Sequence, residues 1–275
     1  MGMAEFFYGL PIWVLTAIVL GTALAAGLGC SFGIRRLFGL HSGGHDTETA
    51  LSLMQVVAAY IGILIAFAGV KVWQDFSDAG NSVHREAAAA AQFYRNLATY
   101  GPETLPARQD LRIYVSSIVK DEWPLLSKGE GSSATDAALF NLYQAMGEVR
   151  PKDERDSTIY AASFSDLNDL VALRRDRLIH SESQMPLILW IVGLAGSILI
   201  VAYTATFPVT RANTMMIAGI SLALGLMFLF IIVVDRPFMG NFSVTSTELA
   251  ELSQKFDSLD RLRASQANSP TPAAP

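Results

Sequence analysis

The sequence predicts an all-α membrane protein with four transmembrane helices and a helical soluble insert between the second and the third. Three observations carry this. Mean hydropathy is +0.35 and only 16% of residues are charged, well below the roughly 25% of a soluble domain. Four windows, Phe6–Ile34, Thr49–Val70, Ser183–Thr210 and Ala212–Val234, hold no Asp, Glu, Lys or Arg, and each reaches the roughly 20 residues that a helix needs to cross a bilayer's hydrocarbon core. Between the second and third windows the charge returns: residues 75–182 hold 12 of the 20 Lys/Arg and 17 of the 25 Asp/Glu. The chain therefore divides into 1–74 (two crossings), 75–182 (helical insert), 183–240 (two more crossings) and 241–275 (an amphipathic segment and a disordered tail).

In the first crossing, Gly21, Ala25, Gly29 and Gly33 recur at four-residue intervals. Small residues at that spacing let helices approach closely in lipid, and intramolecular packing is the expected use. Ala23-Leu24-Ala25 resembles a signal-peptide cleavage site, but Glu5 and the lack of an early Lys or Arg favour an uncleaved helix. Arg35 and Arg36 end that helix. The connection that follows holds His41, His45, Asp46 and Glu48, the one cluster with metal-ligand character. Its glycines fix no geometry, so it reads as a solvated loop and no metal is expected.

The second crossing runs through Lys71, Val72 and Trp73 into a polar, alanine-rich stretch with no proline at the join, so one helix is expected to continue from lipid into water. Ala59, Gly62, Ala66 and Gly69 form a small face suited to packing, and Ile63, Phe67 and Lys71 follow on an adjacent face. Lys71 belongs at the interface or in water, because a lysine at the bilayer centre costs about 2.5–3.5 kcal/mol.

Helical spacing continues through the insert, at Val83, Ala87, Ala90, Ala91 and Tyr94. A second insert helix is predicted from Pro106 to near Pro124, a loop over SKGEGSSATD, a third helix over 137–148, and a long fourth helix after Pro151. Tyr160, Phe164, Leu167, Leu170, Val171, Leu173 and Leu178 form the apolar stripe of that last helix. The clusters His84-Arg85-Glu86 and Arg174-Arg175-Asp176-Arg177 read first as solvated faces, with an ion vestibule as the functional alternative. Pro186 opens the third crossing, Phe207-Pro208 closes it, and Thr247-Glu248 begin the amphipathic helix.

No Gly-rich phosphate loop, nucleophile elbow or Ser/His/Asp group is recognisable, so the sequence predicts no enzyme and calls for no cofactor. A net charge of −5 and a pI near 5.4 argue against a nucleic-acid partner. Four crossings put both termini and the insert on one side, and the flanking cations favour the cytoplasmic side of the inner (plasma) membrane.

Three local groups carry a family likeness: GILIAF with Trp73 and Phe76-Ser77-Asp78-Ala79; Arg177-Leu178 with Pro186; and Pro237-Phe238 with Gly240. In these the chain resembles the bestrophin family of anion channels, and more closely the bestrophin-like bacterial membrane proteins. The resemblance implies a homopentamer whose second helices line a central anion pathway through a hydrophobic neck. Ala59, Ile63 and Phe67 would stand at neck positions, with Lys71, Arg85, Arg174, Arg175 and Arg177 as candidate vestibule or interface residues. After Pro237-Phe238 the chain reads NFSVTSTEL and lacks the acidic calcium clasp of animal members, so calcium gating is not expected. The expected partners are the lipid bilayer, further copies of the chain and small anions such as chloride. A non-conducting scaffold or sensor, with a protein partner bound to the insert, is the alternative the same features allow.

Overall fold

One helix of 57 residues, α2 (Gly44–Tyr100), carries the second crossing into the insert without interruption. Its glycines are absorbed and no proline breaks its hydrogen-bond ladder. The computed structural model describes residues 8–38 and 44–267. Among these every regular element is helical: α1 (Ile12–Phe38), α2, α3 (Leu105–Ser117), α4 (Trp123–Leu126), α5 (Ser133–Glu148), α6 (Glu154–Glu182), α7 (Leu187–Tyr203), α8 (Arg211–Val234) and α9 (Thr247–Ala267). Four helical stretches are long and apolar enough to cross a membrane, and they contain the four charge-free windows or most of them.

The chain folds as two compact units, Met1–Phe76 with Ser183–Ser243, and Ser77–Glu182 with Val244–Pro275. In the first unit α1 packs on α7 and α8. The side chains of Ile61, Ile65, Ala68 and Val72 on α2 form a buried core with Ile200 of α7 and with Ile231 and Val234 of α8. Small residues set the close approaches. A Cβ on Gly225 would lie 2.8 Å from Ala23 Cβ, one on Gly69 2.8 Å from Met227 Cε, and one on Gly196 2.7 Å from Ile61 Cγ1. Thr210 caps α8 by accepting from the Asn213 N–H at 3.2 Å.

Four expectations are corrected. Gly21, Ala25, Gly29 and Gly33 are exposed on the chain rather than packed within it; the seam between α1 and α8 runs through Ala23, Gly27, Ser221 and Gly225, a neighbouring face. On α2, Gly69 alone of the small face packs, while Ala59, Gly62 and Ala66 are exposed. The helix starts at Gly44, which places His45, Asp46 and Glu48 in a helix rather than a loop, and His41 lies outside the described residues. The amphipathic segment is no separate domain, since α9 buries Leu249, Leu252 and Phe256 within the second unit. The terminal SPTPAAP stretch lies outside the described residues.

In the second unit α3 packs on α5 and α9. The second insert helix ends near Pro124 as expected, at Leu126. After Ser117 the backbone widens into a π-helical turn, Ile118–Glu122, and α4 follows with Pro124 in its first turn, where no N–H is required. The third insert helix starts earlier than expected, at Ser133.

Candidate pore-lining face and the ion network of the insert

Along the membrane part of α2 the exposed and buried rows lie on opposite sides. Ile63 (59% exposed), Phe67 (71%) and Val70 (52%) each stand two residues, about 200° at 100° per residue, from buried Ile61, Ile65 and Ala68. Ala59 is exposed in line with them. The three predicted neck residues therefore share one face that the chain itself leaves uncovered.

At the end of this row Lys71 is half exposed and ion-paired with Asp75 one turn on. Asp75 also accepts from Ser183 Oγ at 3.3 Å. Trp73 stacks on Phe76 (6.1 Å) and on Phe230 (6.4 Å), and Phe76 stacks on Phe242 (5.4 Å). This aromatic cluster joins the GILIAF segment to the chain that follows Pro237-Phe238. Gly240 takes a φ of +87°, and a Cβ there would lie 3.0 Å from the Tyr8 carbonyl oxygen; glycine meets both constraints at no steric cost. Asn241 Nδ2 donates to the Leu10 carbonyl at 3.0 Å, and Asp235 accepts the Met185 N–H at 2.6 Å. Pro186 is the N-cap of α7, while Pro237 and Phe238 are buried.

The vestibule candidates separate in the second unit. Arg85 and Arg175 are exposed, as is Asp78 of the junction motif. Arg174 and Arg177 are not, and the solvated-face reading fails for them: Arg177 is fully buried and Arg174 is 7% exposed. Arg177 donates to Glu86 through Nε (2.6 Å) and Nη2 (3.2 Å), and to Glu122 through Nη2 (2.7 Å). Arg174 Nε donates to Glu122 at 3.1 Å, its Nη2 pairs with the same carboxylate, and its Nη1 lies 2.7 Å from Asp136 Oδ1. Glu122 also accepts the Ser132 N–H at 3.3 Å, and the Arg177 guanidinium lies 5.7 Å from the Trp123 ring centroid.

Burial pushes the Glu86 carboxyl above its ordinary 4.5 despite the facing Arg177. Burial would also raise Glu122, but the hydrogen bonds from Arg174 and the charge of Arg177 outweigh it and hold Glu122 below 4.5. Glu122 is the member that sequence reading missed. It stands on the π-helical turn, outside any regular α-helical stripe. The available signal was Arg174 and Arg177 continuing the buried face of Leu167 and Leu170 at three- and four-residue steps, which demands buried carboxylate partners.

The C-terminal helix is fastened by a second cluster. Phe256 stacks on Tyr94 (4.1 Å, 9°), and the Arg112 guanidinium lies 5.1 Å and 5.5 Å from the two ring centroids. Arg112 also pairs with Asp257 (2.7 Å) and Asp260 (3.0 Å), and the Tyr94 hydroxyl donates to Asp260 at 2.7 Å. His84 and Glu248 meet at 2.5 Å. Among the described residues no group of His, Cys, Asp and Glu is arranged to hold a metal.

Solved structures share this architecture. Two mutants of a bacterial bestrophin homologue from Klebsiella pneumoniae superpose with TM-scores of 0.66 and 0.65 at 13% identity, over 90% and 88% of this chain and 97% of theirs. A structure described as a membrane protein gives 0.65 at 13% identity, over 88% of this chain and 96% of that one. No curated protein matches. The Bestrophin-like domain model matches residues 21–249, which hold all four membrane helices or most of them, the junction motifs and the buried arginines; the chain belongs to the Bestrophin-like domain family.

Proposed function

We propose that the protein is an oligomeric, passive anion channel of the bacterial inner membrane, selective for small anions such as chloride, with no catalytic step and no calcium gate. The observation that carries this is the row Ala59, Ile63, Phe67 on α2, apolar and uncovered by the chain, opposite the row that packs. Large apolar side chains in a ring close a water path by dewetting and admit an ion only when the ring widens. A homo-oligomer, a pentamer by family resemblance, places one such row from each copy around a common axis, with the insert and both termini in the cytoplasm.

Chloride flux into liposomes holding the purified protein tests this. Phe67→Ala or Ile63→Ala should raise flux by about tenfold, the order expected when about 1.4 kcal/mol of barrier is removed. A well-folded oligomer with no flux in any form overturns the reading, and so does a native mass corresponding to a monomer or dimer. Either result favours a non-conducting scaffold or sensor.

A further inference from the structure

In the first unit an apolar groove of about 760 Å³ lies between α1, α7 and α8. Along α1 it runs from Ile18 to Cys30, along α7 from Trp190 to Val201, and along α8 from Ser221 to Ile232. At 1.5 Å per residue each wall is about 16–18 Å long, close to half of the roughly 30 Å hydrocarbon core. The bonds between Asn241 and Leu10 and between Asp235 and Met185 gather one set of helix ends. The groove starts near those ends, at Trp190 and Ile232. Its far limits are Ser221, ten residues from the start of α8 at Arg211, Cys30, five residues short of Arg35 on α1, and Val201, two residues short of the end of α7 at Tyr203. By length the groove thus covers about half of the hydrocarbon core.

We infer that this groove binds a single hydrocarbon chain of a membrane lipid, acyl tail inward. The argument is one of complementarity in charge and hydrogen bonding. No charged residue lines the groove. Its hydroxyls are already committed to their own helices: Thr22 donates to the Ile18 carbonyl (2.8 Å), Ser197 to that of Gly193 (2.7 Å) and Ser221 to that of Ile217 (2.8 Å). A polar occupant would lose its water for nothing, whereas a polymethylene chain loses none. Trp190, stacked on Phe228 at 6.1 Å, sits at the shallow end, at the depth where tryptophan favours the membrane interface. The rim residues Leu194 (49% exposed) and Ile198 (60%) leave the slot open sideways to the bilayer. Its volume falls within the roughly 300–1,000 Å³ of ligand pockets, and its 17 lining residues fall short of the roughly 20–30 a side of a stable protein interface. The inference rests on the membrane reading alone and is independent of conduction.

Native mass spectrometry of the full-length protein in detergent is the test. About one phospholipid should stay bound per chain after detergent exchange. Ala26→Trp and Ile198→Trp, which enlarge exposed side chains on the groove wall, should each lower that occupancy by about tenfold with melting temperature and subunit number unchanged. No retained lipid, or equal retention in both variants, overturns the inference. A changed subunit number overturns it too, by making the groove a contact between copies. A second readout needs no variant. Cys30, the sole cysteine, lines the deep end, and added dioleoylphosphatidylcholine, dioleoylphosphatidylglycerol or oleate should each slow its modification by methyl methanethiosulfonate in delipidated micelles. Unchanged rates, or protection by only one headgroup, count against a site for hydrocarbon.

Discussion

Arg177 and Glu86, 91 residues apart in sequence, meet through an Nε–Oε2 hydrogen bond of 2.6 Å with both side chains fully buried. This pair ties α2 to α6 inside the second unit. Its charges are tolerable only because Glu122 completes the set. Removing one member leaves an uncompensated charge, so Arg177→Ala should destabilise the protein by about 3–5 kcal/mol. Chemical denaturation of the purified full chain, followed at Trp123 beside Arg177, reads this loss, and a change below about 1 kcal/mol would contradict it.

The two carboxylates predict opposite pH dependences. Glu122 is held below 4.5, so its contribution is present above about pH 4.5 and is lost as pH falls through its lower folded value. Glu86 is raised, so its contribution is present below 4.5 and is lost as pH rises through its higher folded value. In melting curves recorded from pH 7 down to about pH 3, the stability gap between wild type and Glu122→Gln should shrink as the solution becomes acid. For Glu86→Gln the gap should move the other way.

Phe256 is fully buried against Tyr94. Phe256→Ala should cost about 3–5 kcal/mol and free α9, seen as proteolysis within 247–267 under conditions where the wild type resists.

Ile63→Ala and Ile65→Ala, two residues apart on α2, should separate function from stability. Ile65 is 5% exposed and Ile63 59%. The first substitution should leave the melting temperature nearly unchanged. The second should cost about 2 kcal/mol, the low end for a buried isoleucine because lipid replaces lost packing at little hydrophobic cost. Equal losses would mean that the row at Ile63 is packed in the assembled protein.

Gly240→Ala should cost about 1–2 kcal/mol, since an L residue at positive φ strains the backbone and its Cβ would press on the Tyr8 carbonyl oxygen. Thermal denaturation of the variant checks this.

The sequence by itself determined the four crossings, the helical insert, the unbroken passage of the second crossing through Lys71–Trp73 into the insert, and the junction motifs. These depend on local composition and on the spacing of apolar residues, which a single chain displays along its length. Tertiary structure decided what covers each face. Gly21, Ala25, Gly29 and Gly33 look like a packing stripe, yet Gly27 and Gly225 make the close approach, because helix rotation is set by the partners and not by the stripe. Arg174 and Arg177 look like surface charge, yet they are buried. A carboxylate on a distant π-helical turn compensates them, and charge pairing across some 50 to 90 residues leaves no local periodicity to read.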